Sequence, residues 1–286
     1  MKTSYQKYLV LLLRFGFIIS IAGCSVIKSK ISVVKLEKEF PLPSALNETS
    51  GLYCPTDDTI YTINDSGNTP VLFELNANGE IRNERLLNAK NRDWEAITGN
   101  SRYFFIGDIG NNAGKRQDLN IIKLDKRTNQ ITTLNFTYSN NEIDNNEYVK
   151  HDFDAEALVS AQNNLYLFSK SWQSNKLHIY KIDTQAKEQV LKAFTTTDNL
   201  PGVVTGVDYN PRTDEFIVVG YSVNAFKMFT PFIAVLNKNF ELSETIAVKG
   251  VQQVEGICVS PNGAMWISQE RSFLQGAKLF KLVLIK

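Results

Sequence analysis

A short motif that returns five times constrains the fold of this chain more than any other feature. It places an acidic or hydroxyl residue before Gly or Ala and then a branched apolar residue, as in Ser50-Gly51-Leu52, Glu95-Ala96-Ile97, Glu156-Ala157-Leu158, Thr205-Gly206-Val207 and Glu255-Gly256-Ile257. Successive copies lie about 45 to 61 residues apart, which is the period of propeller blades or solenoid units. If the blades close into a ring, the leading residues meet near one axis, so the repeat predicts both a fold and a site.

Short runs of β-branched and aromatic residues follow each motif and are bounded by Asn, Asp, Gly and Pro, which predicts strands throughout. Residues 190–194 are predicted to be the outer strand of blade three. The last repeat is one strand short, and we expect residues 31–40 to complete the final blade and close the ring. The predicted fold is an all-β propeller of five four-stranded blades. Six blades is the alternative, if residues 140–151 hide a degenerate unit.

The N-terminus predicts an extracytoplasmic location. A basic leader precedes an apolar run over residues 15–22 that is too short for a comfortable membrane span. The segment Ile21-Ala22-Gly23-Cys24 resembles a bacterial lipobox, which implies cleavage before Cys24 and acylation of its thiol by a fatty acid such as palmitate. Ser25 follows, which favours the outer membrane in a Gram-negative host. The alternatives are an uncleaved N-terminal anchor or an ordinary signal peptide.

These features divide the chain into a lipoprotein signal peptide at 1–23, a lipidated tether at 24–30 and a propeller domain at 31–286. A hydrophobic content of 43% and a charged content of 21% fit one domain with a full core. The formal net charge is +1, and the leader holds three positive and no negative residues. The mature chain therefore carries about −2 and has no basic stripe, which makes nucleic acid an unsuitable partner.

Two cysteines remain after Cys24, and they lie in the first strands of the first and last repeats. Cys54 stands three residues past Gly51, and Cys258 stands two past Gly256. Side chains alternate between the faces of a strand, so these offsets let the thiols face each other where the ring closes. An oxidising compartment would permit a disulfide there. The alternative is two small buried apolar residues.

Polar residues end the second strand of every blade, on the face where the motifs begin. We expect them to form one mouth at the end of the axis, with carboxylates outnumbering cations. The candidate metal or ligand residues are Glu48, Asp65, Glu95, Asp108, Asn111, Glu156, Lys170, Glu255, Glu270 and Arg271.

Several carboxylates around one axis repel each other unless a cation or raised pKa values relieve them. Oxygen ligands in this number suit Ca²⁺ better than Zn²⁺. The alternative is that each Glu is solvated or paired with Lys170 or Arg271. The chain has only two histidines, too few for a zinc cluster. Of these, His151 is either a general base at the mouth or an ordinary loop residue.

The segments Asp93-Trp94-Glu95-Ala96-Ile97 and Ile106-Gly107-Asp108-Ile109-Gly110-Asn111-Asn112, with Arg116, resemble a bacterial propeller superfamily. It includes the SdiA-regulated family and the phytase-like esterase-related propellers. Glu48-Thr49-Ser50-Gly51-Leu52 and Val254-Glu255-Gly256-Ile257 resemble its opening and closing motifs. The resemblance covers most of the mature chain and implies a propeller with an acidic central mouth that binds Ca²⁺. The chain departs from it at Thr205, and it lacks the dense Lys and Arg set that a polyphosphorylated substrate requires.

Two functions fit these observations. The first is a membrane-anchored lipoprotein whose mouth binds a small-molecule, glycan or protein ligand, with Ca²⁺ as cofactor. The second is a metal-dependent hydrolase of phosphoesters or lactones, in which Glu95, Glu156 and Glu255 hold the cation. His151 or a further carboxylate would then be the base. The sequence does not decide whether the protein is an enzyme.

Overall fold

Five antiparallel sheets make up the fold. The computed structural model describes residues 33–224, 228–273 and 275–285. Each sheet has four antiparallel strands, and one carries an additional parallel strand at its edge. The sheets are the five blades of a β-propeller, which confirms the predicted fold class. Within the described ranges no helix is long and apolar enough to cross a membrane.

The strands follow the chain in blade order, except for the first strand, which joins blade five, and for one strand within the segment of blade three, which joins blade two. The N-terminal strand is β1 (Val33–Pro41). Blade one contains β2 (Thr49–Thr56), β3 (Thr59–Asn64), β4 (Val71–Leu75) and β5 (Ile81–Leu86). Blade two contains β6 (Trp94–Gly99), β7 (Tyr103–Asp108), β8 (Asn120–Asp125) and β9 (Ile131–Tyr138).

The remaining blades have the same plan. Blade three contains β10 (Ala155–Ala161), β11 (Asn164–Ser169), β12 (Leu177–Ile182) and, after β13 (Glu188–Leu191), β14 (Thr195–Thr197). Blade four contains β15 (Val203–Asn210), β16 (Glu215–Val223), β17 (Phe229–Asn237) and β18 (Leu242–Ala247). Blade five contains β19 (Val254–Val259), β20 (Met265–Gln269) and β21 (Lys278–Ile285). Two 3₁₀ turns are described, Ser44–Leu46 and Ile143–Asn145.

The two ends of the described chain meet in blade five. Strand β1 pairs antiparallel with β21, from Val33 opposite Ile285 to Pro41 opposite Lys278. The N-terminal strand therefore completes the last blade, as the sequence predicted. Cys54 of β2 and Cys258 of β19 form a disulfide across the adjoining interface, with Cα atoms 5.5 Å apart. The ring is thus closed both by hydrogen bonds within blade five and by a covalent bond between blades five and one.

The prediction for residues 190–194 is wrong. The outer strand of blade three is β14, while β13 crosses to blade two and pairs parallel with β9. The side chain of Leu191 explains the difference, because it is buried in the hydrophobic cluster between blades two and three. Val190, in contrast, is exposed. The polar stretch 140–151 holds one 3₁₀ turn and no strand, so the alternative of six blades is excluded.

Each of five buried hydrophobic clusters fills the interface between two neighbouring blades. Burial of these side chains is the main force that holds the blades in a ring. Trp94 is fully buried between blades one and two, and Trp266 is buried between blades five and one. Both tryptophans therefore serve packing.

The small residues of the motif allow the inner strands to approach each other closely. A Cβ atom on Gly51 would lie 2.7 Å from the backbone nitrogen of Ile97, and one on Gly256 would lie 3.0 Å from the carbonyl carbon of Gly51. Gly51 also has φ of +64°, which disfavours other residues. The space left on the axis between these strands is only about 10 Å³. The axis is therefore closed by backbone, and the mouth is a depression with a floor.

A β-bulge interrupts the inner strand of every blade. In blades two to five, the pairing with the second strand skips the first residue of the motif, namely Glu95, Glu156, Thr205 and Glu255. In blade one the skipped residue is Gly51, one position later. A bulged residue leaves the ladder, and its side chain can be turned away from the regular alternation of the strand. The fold thereby presents this column of side chains at the mouth.

Candidate functional site

The mouth is a cluster of six acidic side chains around one lysine. It consists of Asp65, Asp93, Glu95, Glu156, Glu255, Glu270 and Lys170. Glu95, Glu156, Glu255 and Lys170 are at most 8% exposed. Burial raises the pKa of every carboxylate in the cluster, and for all of them except Asp65 the charge of another member raises it further. The sequence predicts one mouth for all of these residues except Asp93, which stands two positions before Glu95 in the motif Asp93-Trp94-Glu95-Ala96-Ile97.

Three of the carboxylates lie close enough to share one cation. Asp65, Asp93 and Glu95 each offer an oxygen, and these oxygens lie within 4.8 Å of one another. Gly110 makes room for two of them, because a Cβ there would clash with Oδ2 of Asp93 and Oε1 of Glu95. The donors are all hard anionic oxygens, which fits Ca²⁺ or Mg²⁺ and not a soft metal.

Lys170 is the cation of the mouth. Its Nζ forms an ion pair with Oε1 of Glu156, and both side chains are 6% exposed. Burial alone would lower the pKa of Lys170, but the Glu156 carboxylate raises it well above its usual range, so the lysine is charged. The Nζ also lies 5.1 Å from the ring centroid of Trp172 and 5.5 Å from that of Tyr221. The second oxygen of Glu156, Oε2, is buried and has no hydrogen-bond partner.

Glu255 and Glu270 form an acidic pair on blade five, in addition to the group of three carboxylates described above. The side-chain amide of Gln253 donates to Oε1 of Glu255 at 2.5 Å and to Oε1 of Glu270 at 2.8 Å. Gln253 thus bridges two carboxylates that would otherwise repel each other. Sequence reasoning missed this residue, because it lies just before β19 and the bulge at Glu255 breaks the alternation from which a shared face could be predicted.

The hydroxyl residues of the motif tie neighbouring inner strands together. Ser50 donates to the backbone oxygen of Glu95 at 2.7 Å, and Thr205 donates to the backbone oxygen of Val254 at 2.7 Å. Both side chains are buried. This structural role explains why Ser50 and Thr205 stand at the motif position that Glu occupies in the other three repeats.

Asp108 and Asn111, two predicted ligand residues, hold loops of the mouth. Asp108 Oδ1 accepts from the guanidinium of Arg116 at 2.6 Å and from the backbone N–H of Asp93 at 3.2 Å. The amide of Asn111 donates to the backbone oxygen of Phe153 at 2.8 Å, and its oxygen accepts from the N–H of Arg116. The structure places both residues beside the acidic cluster and uses them to fix its geometry.

Glu48 and Arg271 lie at the edge of the mouth. Glu48 is exposed, and its carboxylate accepts from the side chain of Asn68 at 2.5 Å. Arg271 is exposed, and its backbone N–H donates to the oxygen of Asn47. Among the described residues, no ion pair joins Arg271 to the acidic cluster. Compensation there comes from Lys170 and from Arg116, whose Nη1 lies 3.9 Å from Oδ2 of Asp93.

His151 does not occupy the position that a general base requires. The side chain is only 1% exposed. Its Nε2 contacts the backbone oxygen of Asn112 at 3.0 Å, and its Nδ1 accepts from the N–H of Phe153 at 3.1 Å. Both ring nitrogens are therefore engaged with the backbone, and His151 stabilises the loop that leads into blade three. In the hydrolase alternative, a carboxylate would have to serve as the base.

The raised pKa values of the carboxyl groups in the mouth predict that the metal-free protein becomes less stable as the pH rises. Burial is the main cause that raises the pKa of Glu255 to about 7 and that of Glu270 to about 8, and repulsion from other carboxylates adds to it. The native state thus holds protons that the unfolded chain releases above about pH 4.5, so the free energy of unfolding falls between about pH 4.5 and 8. For a group shifted as far as Glu255, the loss is on the order of 3 kcal/mol.

Denaturant unfolding in the presence of a chelator, at pH 5 and at pH 8, measures this effect. Glu255→Gln should flatten the dependence, because the amide does not titrate. A free energy of unfolding that is constant or rises over this range would contradict the prediction.

The fold and this site define the class: a five-bladed β-propeller with a closed axis and an acidic mouth. No protein-family model matches the sequence, and no curated protein matches it. Among solved structures, the chain is similar to a streptogramin B lyase, with 10% sequence identity and a TM-score of 0.46. The similarity covers 88% of this chain and 98% of that one. At this identity and TM-score the similarity does not extend to activity.

Cys24, the predicted lipidation site, lies outside the described residues.

Proposed function

We propose that this protein is a lipid-anchored, extracytoplasmic propeller whose acidic mouth binds a ligand with the help of Ca²⁺. The observation that carries the proposal is the charge of the mouth. Six carboxylates face only the ammonium group of Lys170 and the guanidinium of Arg116, and Oε2 of Glu156 is buried without a partner. A buried carboxylate without compensation is costly, and a divalent cation is the simplest group that removes this cost.

Asp65, Asp93 and Glu95 would hold the ion, since their oxygens are already within 4.8 Å of one another. Ca²⁺ binds six to eight oxygens and accepts irregular geometry, so three carboxylates leave positions for ligand oxygens. The ion would supply a fixed positive charge at the floor of the mouth. Lys170 would add a hydrogen-bond donor for the same ligand, which can be a small molecule, a glycan or a protein segment.

The lipid anchor rests on the lipobox-like segment that ends at Cys24 and on the Cys54–Cys258 disulfide, which suits an oxidising compartment. We propose the outer membrane as its location and residues 24–30 as its tether. The motifs around Asp93 and Asp108 support membership of the SdiA-regulated and phytase-like group of propellers. The mass of the mature protein from its native host tests the anchor, because an acylated chain beginning at Cys24 exceeds the mass of residues 24–286 by that of its acyl groups.

Ca²⁺ is expected to raise the melting temperature of the propeller domain. At a concentration 100 times Kd, binding to the native state adds about 2.7 kcal/mol, which corresponds to about 5–10 °C for a domain of this size. Glu95→Gln should abolish the shift because it removes a ligand charge. Gly110→Ala should weaken it without removing any carboxylate, because its methyl group displaces Asp93 and Glu95.

Glu80→Gln is the matched control for the loss of one negative charge. This residue is exposed in the turn between β4 and β5, on the face opposite the mouth, so the variant should retain the full shift. Equal melting temperatures with Ca²⁺ and with chelator would refute the metal site. Protonation would then be what relieves the repulsion between the carboxylates of the cluster. Screening esters, lactones and phosphates with the Ca²⁺-loaded protein separates a binding protein from a hydrolase, since only the hydrolase gives turnover that Glu95→Gln abolishes.

A further inference from the structure

The N-terminal strand enters the propeller at the end of blade five that is farthest from the mouth. Strand β20 ends at the mouth with Gln269, which lies opposite Lys278 at the start of β21. Lys278 in turn lies opposite Pro41, the last residue of β1. Val33, the first residue of β1, lies opposite Ile285 at the other end. Strand β1 therefore runs towards the mouth, and the chain that precedes it joins the blade at the opposite face.

Strand β1 spans the full height of the blade. Its ends pair with the ends of β21, which has 8 residues, so they are about 23 Å apart at about 3.3 Å per residue. Leu36 pairs with Leu282, which in turn pairs with Met265 at the far end of β20. The residues of β1 before Leu36 therefore extend about 10 Å beyond β20. The N-terminal segment is thus attached well away from the acidic cluster.

The proposed anchor leaves only a short tether between the membrane and β1. Residues 24–32 precede Val33, and a fully extended segment of this length reaches at most about 32 Å. To bring the mouth to the membrane, the tether would have to run back about 23 Å along β1 and then pass the loop 270–277 of the mouth face. Only a nearly straight tether could do so, at the entropic cost of fixing its residues. An uncleaved anchor over residues 15–22 would lengthen the tether by one residue.

Exposed apolar side chains lie at both faces of the ring. Val33 and Ile285 are paired at the end of blade five beside the tether, and each is more than half exposed. On the mouth side, Met228 before β17 and Phe273 between β20 and β21 are also more than half exposed. Exposed apolar residues mark surfaces that contact a partner or a membrane. The length of the tether decides between them, since it brings lipid to the first pair and keeps it from the second.

We propose that the tether holds the propeller with its mouth facing away from the membrane that anchors it. The opposite face, where β1 begins, then lies beside the bilayer. The ligand of the mouth therefore comes from outside that membrane and is not one of its lipid headgroups. The inference rests on the N-terminal anchor of the proposed function, and it does not depend on Ca²⁺ or on the carboxylates of the mouth.

Energy transfer from the protein to the membrane surface tests this orientation. The full chain, purified from a host that processes bacterial lipoproteins, is added to vesicles of phosphatidylethanolamine and phosphatidylglycerol that carry an acceptor dye on their outer headgroups. A fluorescent amino acid replaces either Phe273 on the mouth side or Asn78, an exposed residue of the turn between β4 and β5 at the opposite face.

Transfer from position 273 should be at least about threefold weaker than transfer from position 78, because their distances from the membrane differ by about the 23 Å height of β1. Equal transfer from the two positions, or stronger transfer from position 273, would overturn the proposal. Flotation with the vesicles is measured on the same samples. A chain that does not float lacks the anchor, and the inference fails together with that part of the proposed function. A chain that floats and gives equal transfer refutes the orientation alone.

A longer tether shows whether tether length is the cause. A flexible insert of about 20 Gly and Ser residues after Ser29 adds enough reach for the propeller to turn over. The insert precedes β1, so the blades should fold as before. Transfer from position 273 should then rise towards that from position 78, and unchanged transfer would contradict the proposal. Glu95→Gln should leave transfer from both positions unchanged, so failure of the metal site and failure of this orientation give different results.

Discussion

Replacement of Lys170 by Met is expected to lower the free energy of unfolding by about 3–5 kcal/mol, the usual effect of removing one partner from a buried ion pair. The Nζ of Lys170 is in direct contact with Glu156, and it is the ammonium group at the centre of the acidic cluster. Its loss leaves Glu156 and Glu255 buried without compensation. Thermal and denaturant unfolding with chelator measure the loss.

The destabilisation caused by Lys170→Met should depend on pH, and this dependence shows whether its cause is electrostatic. At pH 5 the carboxylates can take up protons, since burial and mutual repulsion raise the pKa of Glu255 to about 7 and that of Glu270 to about 8. The destabilisation should therefore be larger at pH 8 than at pH 5. Ca²⁺ should restore part of the lost stability if the mouth accepts a cation.

Lys176→Met is the matched control, because it makes the same substitution in an exposed ion pair. Lys176 lies 3.3 Å from Asp198, and both side chains are more than half exposed. Such pairs contribute about 0–1 kcal/mol. If Lys170→Met costs no more than Lys176→Met, the carboxylates of the mouth are neutral in the native protein, and the electrostatic account of the site is wrong.

Removal of the disulfide is expected to lower the melting temperature by about 10 °C. Cys54 and Cys258 are 204 residues apart in sequence, so the crosslink restricts the unfolded chain severely. The chain-entropy relation gives about 5 kcal/mol for a loop of this length, and loss of a native disulfide typically costs about 2–5 kcal/mol. For a domain of this size, each kcal/mol corresponds to about 2–4 °C.

The double variant Cys54→Ala, Cys258→Ala tests this prediction, since alanine adds no polar group to the buried interface. The reduced wild-type protein should melt at the same temperature as the variant if the crosslink itself is responsible. A variant that melts as the oxidised wild type does would show that the pairing of β1 with β21 closes the ring sufficiently on its own.

The five inner strands and the closing strand could be predicted because their signals are local or repeat. The motif recurs once per blade, and residues 31–40 had no neighbour in sequence with which to pair. The crossing of β13 could not be predicted in this way. An apolar run such as 190–194 fits the edge of either adjoining blade. The choice depends on tertiary contacts, namely the pairing of Leu191 with Tyr138 of β9 and its burial between blades two and three.

The position of the site could be predicted from the sequence, but the roles of its individual residues could not. Strand order alone places Glu95, Glu156 and Glu255 at one end of the axis. It does not reveal which polar residues face a ligand and which satisfy the backbone. Asp108 and Asn111 accept or donate hydrogen bonds that loops between blades require, and such contacts depend on tertiary structure. The bulges likewise have no signature in a single sequence.

The bulges bear on how a propeller of this kind can diversify. Because the bulged residue takes no part in the ladder, its replacement does not shift the register or exchange the buried and exposed faces of the sheet. A substitution at Glu95, Glu156 or Glu255 therefore leaves the pairing of the strands unchanged, whereas Thr205 also ties β15 to β19 through its hydroxyl. Gene duplicates of this scaffold can exchange the three glutamates one at a time without a change of strand register, provided that the charge around Lys170 stays balanced.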